Sequence, residues 1–123
     1  MISIKEIVVI HEILIDHFGG LKGIRDKDSL EAALNRPLQT FNNKELYPSI
    51  LEKVAALLES LIKNHPFHDG NKRIGYTISR LILLNNGMDI KASEIEKYDF
   101  IISIAENKLN YRHILDWLKN HTY

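Results

Sequence analysis

Between Ser49 and Ile62 the apolar side chains Ile50, Leu51, Val54, Ala55, Leu57, Leu58, Leu61 and Ile62 recur at intervals of three and four. That stripe is too wide for a helix with one wet side. It predicts a central helix with other elements packed around most of it. Ser49-Ile-Leu-Glu52 has capping-box spacing, in which a hydroxyl and a carboxylate satisfy free backbone donors at the helix start, and Pro48 stands just ahead. A chain of 123 residues has room for one such core, so one domain over residues 1–123 is expected.

The flanking segments read as helices that could surround it. Ser3-Ile-Lys-Glu6 is another capping box, followed by Ile7, Ile10, Ile13, Leu14 and Phe18 and ended by Gly19-Gly20. Asp28 and Ser29 are placed to cap a short second helix, Leu30 to Arg36, which Pro37 stops. From Leu38 to Tyr47 the helical period fails, and Asn42-Asn43 is a turn signal between Thr40-Phe41 and Leu46-Tyr47, which predicts a small hairpin or ordered flap. Ile74, Ile78, Leu81 and Ile82 restore the pattern as a fourth helix ended by Asn85-Asn86-Gly87. Ser93-Glu94-Ile-Glu96 opens a fifth helix through Phe100, Ile101, Ile104 and Ala105, and a last one carries Ile114, Leu115, Trp117 and Leu118. No alternating run is long enough for a sheet. The expected class is all-α, a bundle of about six helices with a short flap near residues 38–47.

Composition removes several functions. Sixteen Lys and Arg against sixteen Asp and Glu leave no net charge, so no general basic surface for direct nucleic-acid binding is expected. With no cysteine there is no disulfide framework, thiolate nucleophile or cysteine zinc site. Lys5, Glu6, His11, Glu12 and Asp16 break the apolar N-terminal run, which argues against a signal peptide or a membrane span of about 18 residues. A cytoplasmic protein is the expectation.

The segment His65-Pro-Phe-His-Asp-Gly-Asn-Lys-Arg73 lies between two apolar helices. Pro66 keeps His65 out of the helical region, and Gly70 permits the turn that lets a helix start at about Asn71. Backbone N–H groups of Gly70, Asn71, Lys72 and Arg73 would then point together without partners, which is how a helix start binds phosphate. Two cations in a first helical turn disfavour the helix, so Lys72 and Arg73 imply an anionic ligand. Asp69 beside a triphosphate would be repelled unless a divalent cation lay between them, and Mg²⁺ bound by a carboxylate and phosphate oxygens is the usual arrangement. His65 is the nearby group suited to take a proton at neutral pH. Together these residues suit phosphoryl or nucleotidyl transfer with ATP. Phe67 reads as a core anchor and His68 as exposed. Two other readings exist: a plain polar loop, and a zinc site using His65, His68 and Asp69.

Laid out in this way, the chain resembles the Fic/Doc (Fido) family, on the death-on-curing side. The family pattern H-P-F-x-[DE]-G-N-G-R-x-x-R is matched at His65, Pro66, Phe67, Asp69, Gly70, Asn71 and Arg73. Lys72 replaces the third glycine and Tyr76 the final arginine, both departures resembling the Doc branch. FGGLKGIRDKDSLEAALNRPLQTF and ELYP are also similar to the family's N-terminal half.

The resemblance implies a helical bundle with a flap that aligns a target segment, here Thr40, Phe41, Asn42, Asn43 and Lys44. It implies transfer of part of a nucleotide to a protein hydroxyl, with His65 as base, Asp69 holding the metal, and Gly70, Asn71, Lys72 and Arg73 on the phosphates. Fic members usually transfer AMP. Doc members transfer the γ-phosphate to elongation factor Tu and are neutralised by a Phd-type antitoxin. A side chain at Lys72 obstructs close phosphate approach, and Tyr76 lacks an arginine's two-pronged grip, so phosphate transfer is favoured over AMPylation. Arg80 could stand in for the missing arginine, but pairing with an acidic neighbour is the expectation. A non-catalytic binding member would have lost the base or the metal ligand, and neither is lost. The self-inhibitory pattern [ST]-x-x-x-E-[GN] has its nearest counterpart at Glu106-Asn107, where Ile102 replaces Ser or Thr. Inhibition by a second protein is therefore expected. His11, His17, His113 and His121 read as surface or cap residues.

Overall fold

The computed structural model describes all of residues 1–123. Six α-helices follow one another: α1 (Ile4–Phe18), α2 (Lys27–Asn35), α3 (Ile50–Lys63), α4 (Asn71–Asn85), α5 (Glu94–Ala105) and α6 (Tyr111–His121). A 3-10 turn, Arg36–Leu38, follows α2. The antiparallel strands β1 (Thr40–Phe41) and β2 (Lys44–Glu45) precede α3. The class is all-α with a short flap hairpin.

Helix starts follow local chemistry. The three capping boxes at Ser3, Ser49 and Ser93 are formed, and Asn110 with His113 makes a fourth that lacks the usual acidic partner. The second helix corrects the sequence reading. It starts at Lys27, and its cap is Asp26, whose carboxylate accepts the Ser29 N–H at 3.1 Å and the Ser29 hydroxyl at 3.0 Å. Asp28 and Ser29 therefore lie inside the first turn, where an acid favours the positive end of the helix dipole. The helix also stops one residue earlier, at Asn35, and Pro37 sits in the tighter turn that follows.

Val54, Ala55, Ala56, Leu57, Leu58, Leu61 and Ile62 of α3 are all at most 2% exposed, and α2, α4, α5 and α6 pack around them. Gly75 lets α4 come close: a Cβ there would lie 3.1 Å from Ile62 and 3.3 Å from Leu58. The core takes residues from every helix and adds Phe67 and Ile90 from the connections. Trp117 fixes α6, its ring stacked 3.8 Å from Phe100 and 4.0 Å from His121.

The face that α1 buries is not the one its apolar residues suggest. Ile7, His11 and Ile15 form the buried line, whereas Ile13 and Phe18 are 58% and 59% exposed. His11 is thus a buried residue rather than a surface one. A polar side chain at the centre of that line can be buried only if it is hydrogen-bonded.

In the flap, Thr40 faces Glu45 and Phe41 faces Lys44. Asn42 and Asn43 have φ of 52° and 61°, the left-handed pair that a tight hairpin turn demands and asparagine tolerates. The base of the hairpin is tied to α3 by Arg36, which donates to the Tyr47 hydroxyl (3.1 Å), Glu59 (2.8 Å) and Ser60 (3.0 Å). Burial pushes the Glu59 carboxyl up, but hydrogen bonds from Lys63 and Arg36 outweigh it and hold the group below its ordinary value.

Candidate active site

The connection from α3 to α4 is fixed by a strap of chain about forty residues earlier. The Pro66 carbonyl accepts the N–H groups of Arg25 (2.8 Å) and Asp26 (3.1 Å), and the Gly23 carbonyl accepts that of His68 (3.2 Å). The Arg25 guanidinium donates to the carbonyls of His65 (2.6 Å) and Asn64 (2.9 Å). These bonds hold His65 at φ 52°. Pro66 does exclude the right-handed region at His65, yet the residue takes the left-handed well instead of the extended one, at a cost of about 1–2 kcal/mol. The histidine side chain is exposed.

Below the loop lies a packed base. Phe67 is 1% exposed, as expected of an anchor, and its ring stacks on His11 at 3.8 Å and 10°. His11 Nε2 lies 2.7 Å from the Asp69 carbonyl oxygen. Asn71 is also turned inward: its Oδ1 accepts the Phe67 N–H and its Nδ2 donates to the Phe67 carbonyl, each at 3.0 Å. The amide expected to face phosphate instead braces the loop, because those two buried backbone groups have no other partner. What Asn71 can still offer a ligand is its backbone N–H.

Among the α-helices, α4 alone starts without a side-chain cap. Its first position is preceded by Gly70 at φ 76°, and a Cβ there would also lie 3.3 Å from Ile15 and 3.5 Å from His11. The N–H groups of Asn71, Lys72 and Arg73 therefore remain open at the helix mouth. Lys72 and Arg73 are exposed and no carboxylate lies within 4.0 Å of either. Arg73 rests over the Phe18 ring at 4.2 Å, which explains an aromatic left in solvent.

Gly70 to Arg73 line a cavity of about 220 Å³. Lys72 and Arg73 also border a second cavity of about 390 Å³, between α4 and α5.

Asp69 Oδ2 accepts the Leu21 N–H at 2.9 Å, and the carboxylate is otherwise exposed. No group of three or more His, Asp or Glu side chains converges anywhere in the chain, so the zinc set of His65, His68 and Asp69 is not assembled. One exposed carboxylate beside the open N–H groups is a donor set that fits a hard, oxygen-seeking cation such as Mg²⁺ better than zinc.

The Fic/DOC family model matches residues 1–83, from α1 into the last turn of α4. The chain belongs to the Fic/DOC family. It is 39% identical over 93 residues to "Toxin Doc" of Mycolicibacterium smegmatis, covering 76% of this chain and 67% of that protein. It is 28% identical over 118 residues to "Protein kinase doc" of Escherichia phage P1, covering 96% of this chain and 92% of that protein. The two departures from the Fic/DOC pattern have clear positions. Lys72 is exposed in the first turn of α4, and Tyr76 is half-buried one turn on. Arg80 does not replace the missing arginine at the helix mouth: its Nε and Nη2 grip the two oxygens of Asp89 at 2.9 and 3.1 Å. That pairing matches the expectation from the sequence.

The site therefore gathers Asp69, Gly70, Lys72 and Arg73 at one helix mouth, with His65 on the same pinned loop. The flap residues Thr40, Phe41, Asn42, Asn43 and Lys44 are all exposed, Phe41 by 69%. The residues that sequence reasoning missed are His11, Arg25 and Asp26. His11 had a signal, its place four residues from both Ile7 and Ile15; Arg25 had none, since its partners are backbone carbonyls far along the chain.

No helix of the chain is long and apolar enough to cross a membrane.

Proposed function

We propose that this chain is a Doc-type toxin that moves the terminal phosphate of ATP onto a Ser or Thr hydroxyl of a protein in the cytoplasm. The observation that carries this reading is the start of α4. It is uncapped, doubly cationic and free of ion pairs, and it lies on the same braced loop as an exposed histidine. Such a mouth is arranged for charge that arrives with a ligand.

In this reading the backbone N–H groups of Asn71, Lys72 and Arg73 take phosphate oxygens, and the Lys72 and Arg73 side chains neutralise charge that shifts toward the leaving group. Asp69 would hold Mg²⁺, which when bound would offset phosphate charge. His65 takes the proton of the target hydroxyl as its oxygen bonds to the γ-phosphorus; the bond to the β-phosphate bridging oxygen breaks and ADP leaves. A positioned base of this kind contributes on the order of 10²–10⁴ in rate. The exposed edges of the flap around Thr40 to Lys44 would align the target as an added strand. Elongation factor Tu is the first target to test, and a Phd-type antitoxin the expected inhibitor.

Lys72 in the first turn and the engagement of Arg80 by Asp89 both weigh against AMP transfer, since one adds bulk and the other leaves no second phosphate grip. The deciding experiment incubates the protein in cell extract with ATP labelled separately at the α and γ positions. The expected outcome is γ label on a protein and a phosphate mass adduct. An α label with an adenylate adduct would establish AMP transfer instead. No transfer, with no Mg-ATP binding in a calorimeter, would mark a binding-only member.

A further inference from the structure

The turn that ends α1 reaches across to the loop of the candidate site. Leu21 donates its backbone N–H to Asp69 Oδ2 at 2.9 Å, although 48 positions separate the two residues. The Leu21 side chain is exposed, so what this residue brings to the loop is main chain. Gly20 makes the approach possible. Its φ is 117°, and a Cβ there would lie 3.3 Å from both Cβ and Oδ2 of Asp69 and 3.1 Å from Ile15. The turn is anchored on both sides: Lys22 pairs with Asp16 of α1 at 2.7 Å, and the Gly23 carbonyl accepts the His68 N–H at 3.2 Å. Asp69 does not cap α4 and joins no ion pair, and its Oδ1 has no partner in the chain. An exposed carboxylate keeps one orientation only if something fixes it, and here the fixed group is the Leu21 N–H.

We propose that the Gly20-Leu21 turn is a positioning element for the metal ligand of the site: the Leu21 N–H engages Oδ2 and holds Asp69 with Oδ1 left for a divalent cation. The inference rests on the Mg-ATP reading above and deepens it. Carboxylates that bind metals are as a rule hydrogen-bonded themselves, and loss of such a partner weakens metal binding by about 10–100-fold. Gly20 is then needed for the room it leaves Asp69, beyond its part in the turn. Gly19 provides the contrast. Its φ is 88°, so a substitution there strains the backbone too, yet nothing lies within 4 Å of its Cβ position.

The test is calorimetric titration of the full chain with ATP at graded Mg²⁺ and again in EDTA, for wild-type, Gly20→Ala and Gly19→Ala, each checked first for its melting temperature. A further variant replaces Leu21 by leucic acid, its α-hydroxy counterpart, so that an ester deletes the N–H and keeps the side chain. Gly20→Ala and the ester should raise the Mg²⁺ needed for half-maximal ATP binding by about tenfold or more, with ATP affinity in EDTA unchanged. Gly19→Ala should keep the wild-type Mg²⁺ dependence. Should Gly20→Ala not fold, the ester decides alone. A wild-type Mg²⁺ dependence in the ester variant, or an equal shift in Gly19→Ala and Gly20→Ala, makes the turn a structural contact only, and this inference alone falls. If wild-type binds ATP equally well with and without Mg²⁺, the metal role of Asp69 falls and the inference with it. If wild-type binds no ATP at any Mg²⁺ concentration, the nucleotide reading falls as well.

Discussion

His11 Nε2 approaches the Asp69 carbonyl oxygen to 2.7 Å while its ring stacks on Phe67, so a residue in α1 supports the acidic end of the loop from below. The ring fills space and its N–H satisfies a backbone acceptor at the point where the chain turns into α4. His11→Phe keeps the stack and removes the donor. It should fold with a small loss of stability, about 1–2 kcal/mol, and lower phosphate transfer several-fold. His11→Ala also opens a cavity and should cost about 3 kcal/mol, measured by chemical denaturation.

Arg25 holds the carbonyls of Asn64 and His65 with two nitrogens and thereby maintains the left-handed turn at His65. Arg25→Lys cannot make that two-pronged contact. Transfer should fall by about tenfold or more with the melting temperature nearly unchanged, since both groups lie at the surface. Equal activity in the variant would show that the strap's backbone bonds suffice.

Glu59 links acid sensitivity to the flap. Its carboxyl is held below the ordinary value of 4.5, despite burial, by hydrogen bonds from Lys63 and Arg36. A depressed folded value means this contribution is complete above about pH 4.5 and is lost as pH falls through the folded value. Glu59→Gln should therefore flatten the acid limb of the stability curve in urea denaturation. Arg36→Ala at neutral pH should cost about 2–3 kcal/mol, because a largely buried carboxylate and the Tyr47 hydroxyl lose their partner.

The helices were legible where short-range rules act alone. Capping boxes, the wide stripe of α3, the Asn42-Asn43 turn and the Asn85-Asn86-Gly87 ending all depend on residues within a turn or two of each other. The face of α1 was not, because hydrophobic spacing counts His11 as polar while the fold buries it against Phe67. The start of α2 was misplaced by two plausible caps next to the true one, Asp26. In the site, the open N–H groups and free cations could be read from Gly70, Lys72 and Arg73. The inward turn of Asn71 and the grip of Arg25 could not, since both answer to backbone groups whose positions only tertiary packing sets.

The account depends most on His65 acting as the base for transfer of the terminal phosphate. The direct measurement compares wild-type and His65→Ala, both checked for equal thermal melts, for γ-label transfer to the target in extract. The account predicts that the variant binds Mg-ATP as wild-type does and loses transfer by at least about a hundredfold. Transfer by His65→Ala at the wild-type rate would contradict it.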